Sequence, residues 1–332
     1  MLSWSLKEIE LPLKFTWRIS RGSFKTKKNF VVEIKNAGLT GLGEVAFTGR
    51  NNETKELVEA GFARFVDSIP GLVRSVEEMI VFLDDLELPN ALRFGIESAF
   101  VHYLSALSEK TVFELLGVPS VNVVQTSISI PIMSPGKVSG FIQKYDLCRF
   151  NAIKVKIDGD GGDDLVREAS KSFNGMIRID ANEAFNDPDE VLRFSERIAD
   201  LPVEFLEQPM PAGFHDEYLY LKKKSPFDLI ADESITTENV TTYFSKRFHG
   251  VNIKLMKAGG YLKAMQQLRT ASGLGLKTML GCMIETSLGI SSAFNLAHGV
   301  DYIDLDSVLF LESDPYNLIL EEHGKLFLTH LH

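Results

Sequence analysis

From about residue 120 onward the chain repeats one unit, a short apolar run followed by a longer amphipathic stretch. The runs are "VVQTSISI", "AIKVKI", "MIRID", "VEFLEQ", "DLIADE", "GVNIKL", "LKTMLG" and "DYIDLD". Between them lie "DDLVREASKSF", "DPDEVLRFSERIAD", "GYLKAMQQLRTASGLG" and "TSLGISSAFNLAHG", several ended by glycine as helix C-termini often are. Strand, helix, strand at roughly 25-residue spacing is the pattern of βα units around a parallel sheet. Eight such units predict an α/β fold with a (β/α)8-type barrel over residues 119–315.

Residues 1–118 read differently. "WSLKEIELPL", "FTWRIS" and "NFVVEIKNAGLTGLGEVAF" predict strands joined by Gly and Asn turns, and helical patterns run from "NNETKELVEAGFARFVDSI" to "LRFGIESAFVHYLSALSEKTVFELLG". This is an α+β domain ahead of the barrel. The tail, residues 316–332, has a hairpin-like turn at Gly324 and no helical period, so it is expected to pack back on that domain. The loop "RISRGSFKTKKN" is expected to reach over the barrel mouth.

The chain has 332 residues, enough for a barrel and a smaller domain. A formal charge of −10 disfavours a nucleic-acid partner, since phosphate binding needs a clustered basic surface. No apolar run is long enough for a membrane span, and the charged start "MLSWSLKEIELPLKFTWRIS" lacks the apolar core of a secretory signal, so a cytoplasmic protein is expected. Cys148 and Cys282 are far apart and form no CxxC, which suggests buried thiols. Nothing in the sequence sets the oligomeric state, and a homo-oligomer is left open.

Catalytic groups of such barrels sit at the C-terminal ends of the strands. Those positions hold Lys154 and Lys156, Asp180, Glu207, Asp232, Lys254, and Asp304 with Asp306. A lone KxK strand reads as a solvated sheet edge, and Asp180 or Asp232 alone reads as a helix cap. Three carboxylates on three successive strands would repel one another in a shared pocket, and a divalent cation resolves that repulsion. All-oxygen ligands favour a hard ion, so one Mg2+ per site is expected. The histidines, His102, His215, His249, His298, His323, His330 and His332, show no HxH or HExxH spacing. A base is therefore sought among the lysines, which end the second and sixth strands and approach from opposite walls. The Mg2+ and nearby cations are expected to lower a lysine pKa toward neutrality.

In this order, "KVK", "DAN", "EQP", "ADES" and "NIKLMKAGG" resemble the enolase superfamily, in particular its muconate-lactonizing-enzyme subgroup. The resemblance covers nearly the whole chain and implies a modified barrel with an N-terminal α+β capping domain completed by the C-terminal tail. It implies Asp180, Glu207 and Asp232 as metal ligands and Lys156 and Lys254 as the acid/base pair. Lys154 would be an electrostatic partner of the enolate, with Asn182 and Glu233 as supports of the metal and Lys254. The seventh-strand segment "TMLGCMIETSLG" has no histidine, unlike mandelate-racemase-like members.

"YIDLDSV" resembles the motif by which dipeptide epimerases hold the substrate α-ammonium group, which implicates Asp304 and Asp306. Ser307 and Val308 follow it, where the family often has a small residue and then Pro. "MIET" implicates Glu285 in shaping the site. Thr126 and Ser127 are candidate substrate contacts, and Arg21 and Lys25 are candidate partners for an acidic substrate side chain. The function implied is a Mg2+-dependent epimerase that inverts the α-carbon of a dipeptide's C-terminal residue by two-base 1,1-proton transfer through an enolate. L-Ala-D/L-Glu leads as substrate, in murein-peptide metabolism. The alternatives are another reaction of the subgroup, such as o-succinylbenzoate synthesis or cycloisomerisation, or a non-catalytic ligand-binding relative.

Overall fold

The computed structural model describes residues 2–48, 53–71, 73–159 and 161–329. Asn51 and Asn52, where the first helical pattern was expected to begin, and His330 and His332 lie outside them. Strands β1 (Ser3–Ile19), β2 (Gly22–Asn36) and β3 (Leu39–Val45) form an antiparallel sheet in that order. The two runs expected as separate strands are one, with a register shift between Pro12 and Trp17. There β1 leaves β2 and meets the far end of the chain: Leu13 bridges Leu311, and Glu312 N donates to Pro12 O. Beyond the shift the ribbon carries Trp17 against Phe310, with ring centroids 4.7 Å apart. Its tip crosses the barrel mouth, where Ser20 Oγ donates to Asn182 O at 2.8 Å. The expected mouth loop is thus the end of a hairpin.

Helices α1 (Lys55–Ser68), α2 (Val76–Asp84), α3 (Asn90–Ser108) and α4 (Val112–Leu116) follow. Thr54 and Ser75 cap α1 and α2, and Thr111 with Glu114 makes a capping box on α4. Every residue of α3 from Ala91 to Val101 is buried, because this helix lies between the β3 side of the sheet and the barrel.

The run "VVQTSISI" is two strands rather than one. Its first half, β4 (Val123–Gln125), belongs to a separate small sheet, and only β5 (Ile128–Ile130) enters the barrel. The other barrel strands are β6 (Ala152–Lys156), β7 (Met176–Asp180), β8 (Val203–Glu207), β9 (Asp228–Ala231), β10 (Gly250–Ile253), β11 (Lys277–Gly281) and β12 (Tyr302–Asp304), neighbours in sequence order and parallel. The last meets the first through Ser127 N donating to Ile303 O at 3.2 Å.

The crossovers carry α5 (Val138–Lys144), α6 (Gly162–Ser172), α7 (Pro188–Arg197), α8 (His215–Lys224), α9 (Thr242–Arg247), α10 (Leu255–Ala258) with α11 (Tyr261–Gly273), and α12 (Ser287–Phe294). The eighth strand departs from the (β/α)8 repeat, because a 3-10 turn, Ser307–Phe310, follows it where an α-helix would stand.

The tail forms the expected hairpin, β13 (Ile319–Glu322) and β14 (Lys325–Leu328), with Gly324 in the turn at φ +76. Its strand partner is β4 rather than the N-terminal sheet. Arg149 fixes it through hydrogen bonds of 2.9–3.0 Å to Glu321. Contact with β1 is made ahead of the tail, at Leu309, Leu311 and Glu312. No helix among the described residues is long and apolar enough to cross a membrane.

The sheet and α3 approach backbone to backbone. A Cβ on Gly43 would lie 2.0 Å from Gly95 O, and one on Gly41 would lie 2.1 Å from Ala99 O. A side chain there must push the helix off the sheet. Gly43→Ala is expected to lower stability by about 3 kcal/mol in urea unfolding. Gly140→Ala in α5, with open space around its Cβ, should leave stability unchanged or slightly raised.

Candidate active site

Strand alternation puts Lys154 and Lys156 on the same face of β6, and both are buried inside the barrel. The sheet register aligns Lys156 with Asp180, and Asp180 with Glu207, so the last residues of β6, β7 and β8 form one layer. Asp232 directly follows β9. Asp180, Glu207 and Asp232 each offer a carboxylate oxygen, and these atoms all lie within 4.8 Å of one another.

Lysines surround the triad. Lys156 Nζ donates to Asp180, while Lys154 Nζ donates to Asp304 and lies 3.4 Å from Glu207 and 3.5 Å from Asp180. Lys254, at the end of β10, donates to Asp232 Oδ2 at 2.8 Å, and Lys257, one helical turn on, also pairs with Asp232.

Burial dominates the electrostatics, and the partners decide its outcome. Burial pushes Glu207 up to about 7, with the Asp180 charge adding to it. Burial also works against Asp232, but Lys254 and Lys257 outweigh it and hold that carboxyl well below its usual range. For Lys254 burial favours the neutral amine, yet Asp232 and Glu207 hold it above the ordinary value, and Lys154 behaves alike beside Asp304 and Glu207. The protein's own groups raise Lys154 and Lys254, and the expected lowering rests on Mg2+ as well as on nearby cations. Lowering them requires a cation that takes over the carboxylate charge.

The supporting residues include several that sequence reasoning missed. Asn252 on β10 is fully buried and donates to Glu207 Oε1 at 2.7 Å. Gly281 leaves room for it, since a Cβ there would lie 2.5 Å from Asn252 Oδ1. Gln208 Oε1 accepts from Asp232 N at 2.8 Å and so fixes the strand end that carries the third carboxylate. The available signal was period two, which puts Asn252 on the same face as Lys254. Of the expected supports, Asn182 N donates to Asp180 Oδ1 at 2.9 Å, and its Nδ2 donates to Glu233 Oε1 at 3.3 Å. Glu233 pairs directly with Arg21 at 2.5 Å and acts on Lys254 through its charge, which helps hold that lysine above the ordinary value.

Asn182 Oδ1, Glu233 Oε2 and Asn252 Oδ1 are buried oxygens with no hydrogen-bond partner. A centre with three clustered carboxylates, further orphaned acceptors beside it and no sulfur or imidazole fits a hard divalent cation.

Across the barrel, Asp304 pairs with Lys154 and accepts from Ser127 Oγ at 2.6 Å. Asp306 accepts from Ser129 N at 2.6 Å and has no ion-pair partner among the described residues. Burial and the Asp304 charge push Asp306 up to about 7. Thr126 and Ser127 are not mouth residues, because the strand begins only at Ile128. Thr126 Oγ1 accepts from Leu305 N and Ser127 Oγ donates to Asp304, so both hydroxyls brace the eighth strand from outside the cavity lining; it is Ser129 that lines the mouth.

Glu285 is buried, accepts from Met283 N at 2.7 Å, and shapes the loop without lining the cavity. Lys25 is exposed and stands outside the cavity lining, whereas Lys27 lines it and donates to Phe47 O at 2.7 Å. Arg21 lines the mouth but already pairs with Glu233 and, at 3.2 Å, with Glu183.

The mouth opens into a cavity of about 1360 Å3 between barrel and cap, lined by Lys154, Lys156, Asp232, Lys254, Asp304 and Asp306 among others. Its cap wall includes Trp17, Ile19, Arg21 and Phe24, and its barrel wall Met283, Ile284 and Phe310.

Residues 140–324 match the family described as enolase C-terminal domain-like. An L-Ala-D/L-amino acid epimerase from Pedosphaera parvula is 32% identical over 328 residues, 96% of this chain and 93% of that one. An enolase family member from Agrobacterium tumefaciens with homology to dipeptide epimerases, solved with sodium and L-Ala-L-Glu bound, superimposes with a TM-score of 0.88 at 26% identity, covering 99% of this chain and 98% of that one. A dipeptide epimerase from Methylococcus capsulatus, complexed with Mg and L-Arg-D-Lys, gives a TM-score of 0.86 at 25% identity, covering 99% and 97%. The chain belongs to the enolase superfamily and, within it, to the dipeptide epimerases, which are isomerases.

Removing the donor to Glu207 tests how the carboxylate centre is held. Asn252→Ala should weaken divalent-cation binding roughly tenfold or more, read by calorimetric titration. Unchanged affinity would contradict the role given to Asn252.

Proposed function

We propose that this enzyme inverts the α-carbon of the C-terminal residue of a dipeptide by two-base 1,1-proton transfer. The observation that carries this reading is the placement of groups around the barrel. Lys156 ends the second strand and Lys254 the sixth, which are opposite in an eight-stranded ring. Asp180, Glu207 and Asp232 end the third to fifth strands between them, and Asp304 and Asp306 lie at the eighth, facing the fourth.

A dipeptide fits this arrangement with its carboxylate toward the third to fifth strands and its ammonium toward the eighth. Asp306, buried and without an ion-pair partner among the described residues, receives the ammonium, and Asp304 stands beside it. The α-carbon then lies between Lys156 and Lys254. Whichever lysine is neutral removes the α-proton from one face, and the other, as an ammonium, delivers a proton to the opposite face. Mg2+ held by Asp180, Glu207 and Asp232 would supply positive charge that stabilises the developing enolate.

Lys154, buried beside the triad, adds a fixed positive charge to the same side. L-Ala-D/L-Glu leads as substrate, with Arg21 at the mouth as one cation for an acidic side chain, and murein-peptide recycling in the cytoplasm as the setting.

Incubation of dipeptides with the enzyme and Mg2+ in D2O, followed by NMR of the α-proton and chiral analysis, should show exchange and inversion of the C-terminal residue. No exchange across a broad dipeptide library would refute the reading. Lys156→Ala and Lys254→Ala should each abolish inversion while the remaining lysine still exchanges the α-proton of one epimer. Full inversion by either variant would exclude the two-base assignment. Asp306→Asn should raise the KM for dipeptides far more than it lowers proton exchange at saturation.

A further inference from the structure

The cap and the seventh-strand loop meet at a polar junction that the proton transfer does not use. Asn29 on β2, Glu44 on β3 and Thr286 before α12 are all fully buried. Asn29 Nδ2 donates to Glu44 Oε1 and to Ile284 O, each at 2.8 Å. Glu44 also accepts from Thr286 N at 3.0 and 3.1 Å, from Thr286 Oγ1 at 2.6 Å, and from Gly289 N at 3.0 Å.

From the barrel side, Glu285 Oε1 accepts from Met283 N, and Glu285 N donates to Ser307 Oγ at 3.1 Å. The segment from Met283 to Thr286 is thus pinned by cap and barrel together. Between the pins, Met283 and Ile284 line the substrate cavity.

We infer that Asn29 and Glu44 are positioning residues, holding the Ile284 wall at the distance from the lysines that a bound dipeptide requires. The inference rests on the epimerase reading. A junction that served only to glue the cap on would not need a buried amide, since apolar pairs of similar volume are at least as stabilising as buried polar ones. Asn29 even leaves its Oδ1 without a partner, a cost that its second hydrogen bond, to the pocket wall, accounts for. Neither residue touches the cavity, so the effect runs through the Ile284 backbone.

The test separates the two bonds made by Asn29. The double variant Asn29→Asp, Glu44→Gln keeps a side-chain hydrogen bond between these positions, reversed in direction, and removes the donor to Ile284 O. With L-Ala-L-Glu and Mg2+ as probe, its KM should rise roughly tenfold while kcat for α-proton exchange stays within about twofold. Asn29→Ala, which removes the same donor without adding a charge, should shift KM in the same direction and serves if the double variant does not fold.

An unchanged KM in either folded variant would overturn the inference, as would KM and kcat worsening together with a fall in thermal midpoint. No exchange of any dipeptide by the parent would overturn the epimerase reading and this inference with it. Parent exchange with unchanged KM in the variants overturns this inference alone.

Discussion

Three carboxylates share one buried layer at the top of this barrel, and their mutual repulsion has to be met by positive charge. Within the chain that charge is ammonium: Lys154 and Lys156 from one side, Lys254 and Lys257 from the other. The ion pairs are short and almost dry, so removing any one partner leaves an uncompensated buried charge. The same electrostatics make the site responsive to a cation. Asp180, Glu207 and Asp232 would hold a divalent ion, whose charge would offset the carboxylate field that keeps Lys254 above its ordinary pKa.

The remainder of the architecture serves that layer. Parallel strands in register bring Lys156, Asp180 and Glu207 to one height. Gly281 clears the space in which Asn252 orients Glu207. The cap closes the cavity from above by a hairpin that lies across the mouth, and it is anchored through α3, where Glu97 accepts from Tyr261 N at 2.7 Å and Arg93 from the same helix reaches Gly259 O. A charged layer fixed by strand register thus lies under a cap fixed by buried polar contacts.

The charged layer was legible in the sequence because two periods fix it. The βα repeat says which end of each strand meets the others, and strand alternation says which residues point inward. What escaped was whatever neither period encodes. Ser127 and Ser129 have the same parity, and only the true start of β5, after the chain leaves β4, decides which of them reaches the mouth. Lys25 and Lys27 were indistinguishable because the register shift in β1 against β2 breaks the alternation of the hairpin that carries them. Asn29 and Glu44 meet Thr286 from the other end of the chain, and no local pattern announces such a contact.

The measurement that bears most directly on this account is a crystal structure of the enzyme with Mg2+ and a dipeptide bound. The account predicts the metal on Asp180, Glu207 and Asp232, the substrate ammonium on Asp304 and Asp306, and the C-terminal α-carbon between Nζ of Lys156 and Nζ of Lys254, one on each face. A complex in which both lysines remain on their carboxylates, or in which both approach the same face of the α-carbon, would contradict it.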